Sequence, residues 1–275
     1  MTDAPFKFDE IGNWSELKLE IVGKYGAAYA KILGATRFKK FYIDGFSGGG
    51  VHISRQTGQQ IEGSPARALQ ISPPFDRYYF IDLNPQKTKY LQKLCDGRND
   101  VLIHTGDCNA YLTTQLLPTI QYEDYKRALC LLDPYRLDLD WEVMLQAGQS
   151  KAIDMFLNFP VMDMNRNAMW RTPEKAPQDG IERMNRFWGD ESWREAAYAE
   201  SDQGNFFGRE LVKQDNDAIV KAFQKRLKTV AGFEFVPDPL PMRNSNNAVV
   251  YYLFFASQAP IAKKIITDIF KKYRA

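Results

Sequence analysis

The chain is poor in the residues that build disulfide and metal scaffolds. Its 275 residues include three cysteines, Cys95, Cys108 and Cys130, and two histidines, His52 and His104. The cysteines are far apart, odd in number and form no C-x-x-C pair, which argues against a disulfide framework and against a zinc site. No metal ligand is expected, and a reducing cytoplasm is the expected setting. No stretch approaches the roughly 20 apolar residues of a membrane span, so no membrane partner is expected. The first residues, MTDAPFKFDEIGNW, hold no apolar segment of a secretory signal. Charge of either sign is not in excess: 36 basic against 34 acidic side chains permit a nucleic-acid partner, DNA or RNA, without requiring one.

Apolar residues are plentiful. At 44% hydrophobic and 13% aromatic, the chain can bury a sizeable core and has no composition of a disordered segment. Residues 14–33 carry Leu17, Leu19, Ile21, Tyr25, Tyr29 and Ile32 near helical spacing, which predicts a helix. Short β-branched and aromatic runs then alternate with helical stretches. Strands are predicted near 40–44, 78–81, 101–104, 128–132 and 153–158, then at 233–236 and 249–256. The stretch 51–62 reads as polar and irregular. Ser64 is expected to cap a helix that has Pro65 at its first position, and Asn84-Pro85 to open another. This alternation implies an α/β domain with a mostly parallel sheet and crossover helices. VVYYLFFA, residues 249–256, is apolar nearly throughout and reads as a strand buried on both faces.

The strand ends carry the chemistry. FYIDGFSGGG, residues 41–50, runs from a strand into an acid and then into glycines. Ligands of doubly wound sheets collect at such carboxyl ends. Four of the first five strands end at or near an acid: Asp44, Asp82, Asp107 and Asp133. Such a row suits a ligand with several donors, such as ribose hydroxyls and amines. A divalent metal is the weaker alternative, because acids on separate strands are spread too far for one ion. Asp82 and Asp107 are each also placed to cap the helix that follows.

The pattern of Asp44, Gly45, Phe46, Ser47, Gly48 and Gly50 resembles the cofactor motif of S-adenosylmethionine-dependent methyltransferases that act on nucleic-acid bases. A dinucleotide fingerprint in this register is absent. Asp133-Pro134-Tyr135-Arg136 resembles the D-P-P-Y motif of amino-methyltransferases, one proline short. There the carboxylate and the next carbonyl orient the target amine while an aromatic ring stacks on the base. Read together, FYIDGFSGGG, EGSPARAL, FIDLNP, GDCNAYL, LLDPY, MFLNFP, RFWGDESW and YYLFFAS resemble the three-Cys-motif partner protein (TcmP) family from about residue 14 onward.

That resemblance implies a Rossmann-like class I methyltransferase fold: a seven-stranded, mostly parallel sheet with an antiparallel last strand. It implies S-adenosylmethionine as cofactor, held by Asp44, Gly45, Phe46, Ser47, Gly48, Gly50, Asp82, Leu83, Asp107 and Cys108. The resemblance to the amino-methyltransferase motif implies in turn that Asp133, Pro134 and Tyr135 are catalytic, acting on an amine of a nucleic-acid base. The alternative is a non-catalytic module that binds a genomically paired, radical-enzyme-like protein bearing the three-cysteine motif.

Residues 161–208 interrupt the alternation and read as an insertion after the fifth strand of a single domain, partly helical near 181–187. Five arginines here, Arg166, Arg171, Arg183, Arg186 and Arg194, stand beside Trp170, Trp188 and Trp193. They suit a phosphate-gripping surface, or a lid anchored by its tryptophans with the arginines paired to nearby acids. The acids at 179, 182, 190, 191 and 195 favour the second.

Overall fold

The computed structural model describes residues 8–200 and 211–274. Seven strands form the main sheet: β1 Lys39–Asp44, β2 Arg77–Asp82, β3 Val101–Thr105, β4 Lys126–Leu132, β5 Ile153–Phe159, β6 Leu240–Arg243 and β7 Val249–Ala256. Their spatial order is β6-β7-β5-β4-β1-β2-β3. The first five run parallel, and β7 lies antiparallel to both β5 and β6. This is the class I methyltransferase sheet, as the sequence predicts.

Period-two alternation sorts the side chains onto two faces. Tyr42, Tyr78, Phe80, Leu129, Leu131, Phe156, Leu253 and Phe255 belong to one buried cluster, and Phe41, Ile43, Tyr79, Ile81, Cys130, Leu132, Leu157 and Phe254 to the other. Helices cover both faces, which is why the strands read as nearly continuous apolar runs. Each fully buried large side chain stabilises the fold by about 1.5–3 kcal/mol.

The first helix spans Asn13–Gly34. Its buried face differs from the predicted stripe. Ile21, Tyr25 and Tyr29 are buried as expected, but Ile32 is exposed and a lysine, Lys18, is buried among them at 4% exposure.

Three further predictions need correction. The stretch 51–62 is not irregular. Val51–Ser54 and Gln60–Glu62 pair as a hairpin, and Asp9–Ile11 adds to Val51–Ser54 in parallel as a third strand. The sixth strand is not 233–236, where Phe235 makes only an isolated bridge to Ser257. It is Leu240–Arg243, which contains Pro241. An edge strand tolerates that proline because its outer N–H has no partner to lose. Ser64 is not a cap: Gly63 is the N-cap, and Ser64 is the first helical residue with Pro65 behind it.

The insertion folds as helices Val161–Asn167, Gln178–Trp188 and Trp193–Ala197, followed by the antiparallel pair Tyr198–Glu200 and Leu211–Lys213. Its predicted end, 201–208, lies outside the described residues. Trp188 and Trp193 are buried, Trp188 beside Phe223 and Trp193 beside Tyr198, and Trp170 is partly exposed. Arg183 pairs with Asp179 at 3.3 Å, Arg186 with Asp140 at 3.6 Å and Arg194 with Glu191 at 3.6 Å. For these three arginines the anchored-lid reading holds.

Candidate functional site

Strand order reverses between β1 and β4, and a cleft of about 1100 Å³ opens there at the carboxyl ends of the strands. Of the predicted site residues, Gly45, Phe46, Gly48, Asp82, Leu83, Asp107, Cys108, Asp133, Pro134 and Tyr135 line it. Three predicted residues do not. Asp44 is at 0% exposure beneath the glycine loop, Ser47 is buried, and Gly50 faces Leu91 and Leu94. The row of four acids is therefore three around the cleft and one under its floor.

The floor is held by backbone hydrogen bonds. The Ser47 N–H donates to the Ile81 carbonyl at 2.9 Å, and the Gly48 N–H to Asp82 Oδ2 at 2.8 Å. Gly48 and Gly50 have φ of +64° and +81°, a region that favours glycine. A Cβ on Gly50 would lie 2.8 Å from Leu94 Cδ2.

Asp82 does not cap the following helix. Asn84 does, accepting from the Gln86 N–H at 2.9 Å, while Asp82 Oδ1 accepts from the Asn84 N–H at 2.8 Å. Two backbone donors thus orient the carboxylate and leave lone pairs on both oxygens for a ligand. Asp107 does act as a cap, accepting from the N–H groups of Asn109 and Ala110, each at 3.2 Å, and it still lines the cleft.

Asp133 sits in a cluster that the sequence reading missed. Lys18 donates to its Oδ2 and the Asn158 side-chain amide to its Oδ1. Lys18 comes from the first helix, Asn158 from the end of β5. The Tyr251 hydroxyl donates to the Trp14 carbonyl at 3.1 Å beside them, and burial pushes that phenol well above its usual pKa. A signal for Lys18 was present: it lies three, four and seven residues before Ile21, Val22 and Tyr25, so a charge occupies the buried helical stripe. Tyr135, meanwhile, is 86% exposed, with the Arg136 guanidinium 5.6 Å from its ring centroid.

His52 and the segment from Asp9 to Ser15 complete the wall. Asp9 pairs with Lys87 at 2.6 Å and Glu10 with Arg55 at 3.9 Å. Burial, reinforced by the Lys18 ammonium, pushes the His52 pKa below its ordinary value, so the ring is neutral at pH 7. Burial likewise pushes the Asp44 carboxyl up to about 7, against the opposing pull of the Ser64 hydroxyl. Asp44 Oδ2, Ser47 Oγ, His52 Nδ1 and Asn158 Oδ1 are buried with no hydrogen-bond partner. Such orphaned polar atoms are rare in folded proteins; His52 and Asn158 line the cleft, as does Asp163, whose Oδ2 is also unpartnered, while Asp44 and Ser47 lie beneath its floor.

No family model matches the chain, and no curated protein matches it. Solved structures do. A Legionella pneumophila protein of the family model DUF519 is 13% identical, with a TM-score of 0.51 over 93% of this chain and 92% of its own. That likeness extends over the whole architecture, and this chain has the same fold. A Listeria monocytogenes structure named for an S-adenosylmethionine-dependent methyltransferase is 11% identical, with a TM-score of 0.41 over 86% of this chain and 98% of that one. Aeropyrum pernix fibrillarin, crystallised with natively bound S-adenosylmethionine, is 9% identical, with a TM-score of 0.35 over 86% and 76%.

Proposed function

We propose that this chain is an S-adenosylmethionine-dependent methyltransferase that acts on an amine of a nucleic-acid base. The observation that carries the reading is the arrangement of one cleft at the strand reversal of a class I methyltransferase sheet. It combines a glycine floor, an outward-aimed carboxylate on Asp82 and a second carboxylate on Asp133.

The residues fit the cofactor. Gly48 leaves its backbone open to a ligand, a Cβ on Gly45 would meet Cys108 Sγ at 2.7 Å, and a side chain at Gly50 would push the loop away from Leu94. Asp82 has the free acceptor capacity that ribose hydroxyls need, and Asp107 stands where an adenine amine could donate. Leu83 and Cys108 supply apolar walls. Asp44, beneath the floor, braces it by accepting from the Phe46 N–H at 3.4 Å. When bound, the cofactor supplies a methyl group already activated on a sulfonium, so the protein's task is to position the acceptor.

In this reading Asp133 and the Pro134 carbonyl accept from the target amine and aim its lone pair at the methyl group. Lys18 and Asn158 hold the carboxylate from behind, and Tyr135 offers a free face for the base. The neutral His52 and the Asp9–Ser15 segment wall off solvent from the other side.

Six of the eight sequence pieces that resemble the TcmP family, FYIDGFSGGG, FIDLNP, GDCNAYL, LLDPY, MFLNFP and YYLFFAS, contribute residues to this cleft, which supports membership in that family. One observation favours the second reading, a non-catalytic module that docks to a three-cysteine-motif protein. Both oxygens of Asp133 already accept a hydrogen bond from the protein itself.

The two readings separate in one experiment. The protein is incubated with methyl-labelled S-adenosylmethionine and total cellular nucleic acid, with and without the paired protein, and methylated nucleosides are sought by mass spectrometry. The enzyme reading expects a labelled N-methyl base that is absent with Asp133→Asn. Cofactor binding with no labelled product under any condition would leave the docking module. At 100 times its dissociation constant, the cofactor is expected to add about 2.7 kcal/mol of stability, seen as a rise in the unfolding temperature.

A further inference from the structure

The strand order spreads the lining along the cleft: Asp82 and Asp107 follow β2 and β3, whereas Tyr135 and Arg136 follow β4 and Arg166 follows β5. Arg136 follows Tyr135 in the loop after β4, and Arg166 lies on the helix Val161–Asn167. Both are exposed, and among the described residues neither guanidinium makes an ion pair. Arg171 is likewise exposed and in no ion pair among the described residues, but it does not line the cleft. Arg183, Arg186 and Arg194 pair with acids of their own surroundings, and Arg226 pairs with Asp190 at 2.7 Å. Acids on the same side are Asp138 and Asp163. Neither reaches Arg136 or Arg166, and Asp163 Oδ1 instead accepts from the Asn167 amide at 2.8 Å.

Size points the same way. A pocket for one small ligand takes about 300–1,000 Å³. At about 1100 Å³ this cleft has room for a nucleoside cofactor and a second, nucleotide-sized group. A free guanidinium forks onto phosphate oxygens bidentately. An exposed aromatic ring takes a base by its face.

We propose that Arg136 and Arg166 grip the backbone phosphates on either side of an unpaired base. The substrate is then a single-stranded stretch of a polynucleotide rather than a free nucleotide or a regular duplex. The inference rests on the methyltransferase reading of the same cleft. Tyr135, 86% exposed, carries the base on the ring face opposite Arg136, whose guanidinium lies over the other face at 5.6 Å from the centroid. A regular duplex leaves no base free to enter, and opening it costs a few kcal/mol per base. A free nucleotide offers one phosphate to two separated guanidinium groups.

The experiment is a fluorescence-anisotropy titration of the S-adenosylhomocysteine-loaded protein. The probes are a labelled 12-nucleotide single strand of mixed sequence, the same strand in a duplex, and adenosine monophosphate as competitor, each from 50 to 300 mM NaCl. Single-strand affinity is expected to fall log-linearly with salt. Arg136→Gln and Arg166→Gln are each expected to reduce the slope by about 0.7, the share of one phosphate contact on a single strand, across all sequences tested. The duplex is expected to bind at least tenfold more weakly, and adenosine monophosphate to compete only at far higher concentration.

Both variants should keep the thermal shift given by S-adenosylhomocysteine, which certifies their fold. A slope unchanged in both, or a duplex or mononucleotide binding as well as the strand, overturns the inference and leaves the methyltransferase reading intact. Absence of any thermal shift with S-adenosylhomocysteine in the unaltered protein overturns that reading, and the inference with it.

Discussion

Replacing Asp133 with alanine is expected to abolish methyl transfer and to destabilise the protein together, by separable causes. The catalytic loss follows from position. Asp133 is the carboxylate at the end of β4, across the cleft from the glycine floor, and misplacing an acceptor by 1 Å can cost about 100-fold in rate. The stability loss follows from what Asp133 neutralises. Lys18 is buried and donates to it, and the Asn158 amide does the same. Removing one partner of a buried pair leaves an uncompensated charge and costs about 3–5 kcal/mol. Because Asp133 itself is about one-third exposed, the lower end of that range is expected in urea unfolding at pH 7.

The double variant Lys18→Met with Asp133→Leu separates the two effects. Replacing both charges by apolar groups of similar volume is often neutral or stabilising, so this protein should recover most of the lost stability and still transfer no methyl group. Recovery of transfer along with stability would remove Asp133 from the chemistry and leave it a structural ion-pair partner.

The second large effect concerns Asp44 and pH. Its carboxyl is pushed up to about 7 by burial, from an ordinary value of 3.8. Between about pH 4 and pH 7 the folded protein therefore holds a proton that the unfolded chain has released. The stability this proton contributes is fully present below about pH 4, declines as pH rises, and is gone above about pH 7. The expected slope is on the order of 1 kcal/mol per pH unit. Asp44→Asn removes the titrating group. It is expected to flatten that slope and to unfold at a higher temperature than the unaltered protein at pH 8, while matching it more closely at pH 4. Under the cofactor reading the same variant should bind S-adenosylmethionine more weakly, because the Asp44 carboxylate braces the glycine floor from beneath by accepting from the Phe46 N–H at 3.4 Å. Greater stability with weaker binding is the common signature of a site residue held at the expense of the fold. Equal pH slopes in the two proteins would show that Asp44 does not titrate in this range.

What the sequence revealed and what it concealed divide along a physical line. Features set by neighbouring residues were legible. The Asn84-Pro85 helix start, the Asp107 cap, the strands buried on both faces and the turn after Ile43 each follow from local chemistry, and the structure contains them. Features set by distant partners were not. Lys18 meets Asp133 across 115 residues of chain, and only its place in an apolar stripe hinted at it. The strand Asp9–Ile11 pairs with Val51–Ser54, so the polar stretch 51–62 becomes regular only when a segment some forty residues earlier arrives beside it. Pro241 disguised β6, because a proline reads as a strand breaker unless the strand is known to lie at an edge. The three tryptophans of the insertion gave no sign of which two would be buried. The five arginines gave no sign of which would find acids.

The most direct measurement of the central claim is a calorimetric titration of S-adenosylhomocysteine into the unaltered protein and into Asp82→Ala. One binding site per chain is expected, with affinity at least tenfold lower in the variant, because Asp82 is oriented into the cleft by two backbone donors and joined to the floor through Gly48. No heat of binding in the unaltered protein, or equal affinity in both, would contradict the assignment of this cleft to a sulfonium nucleoside.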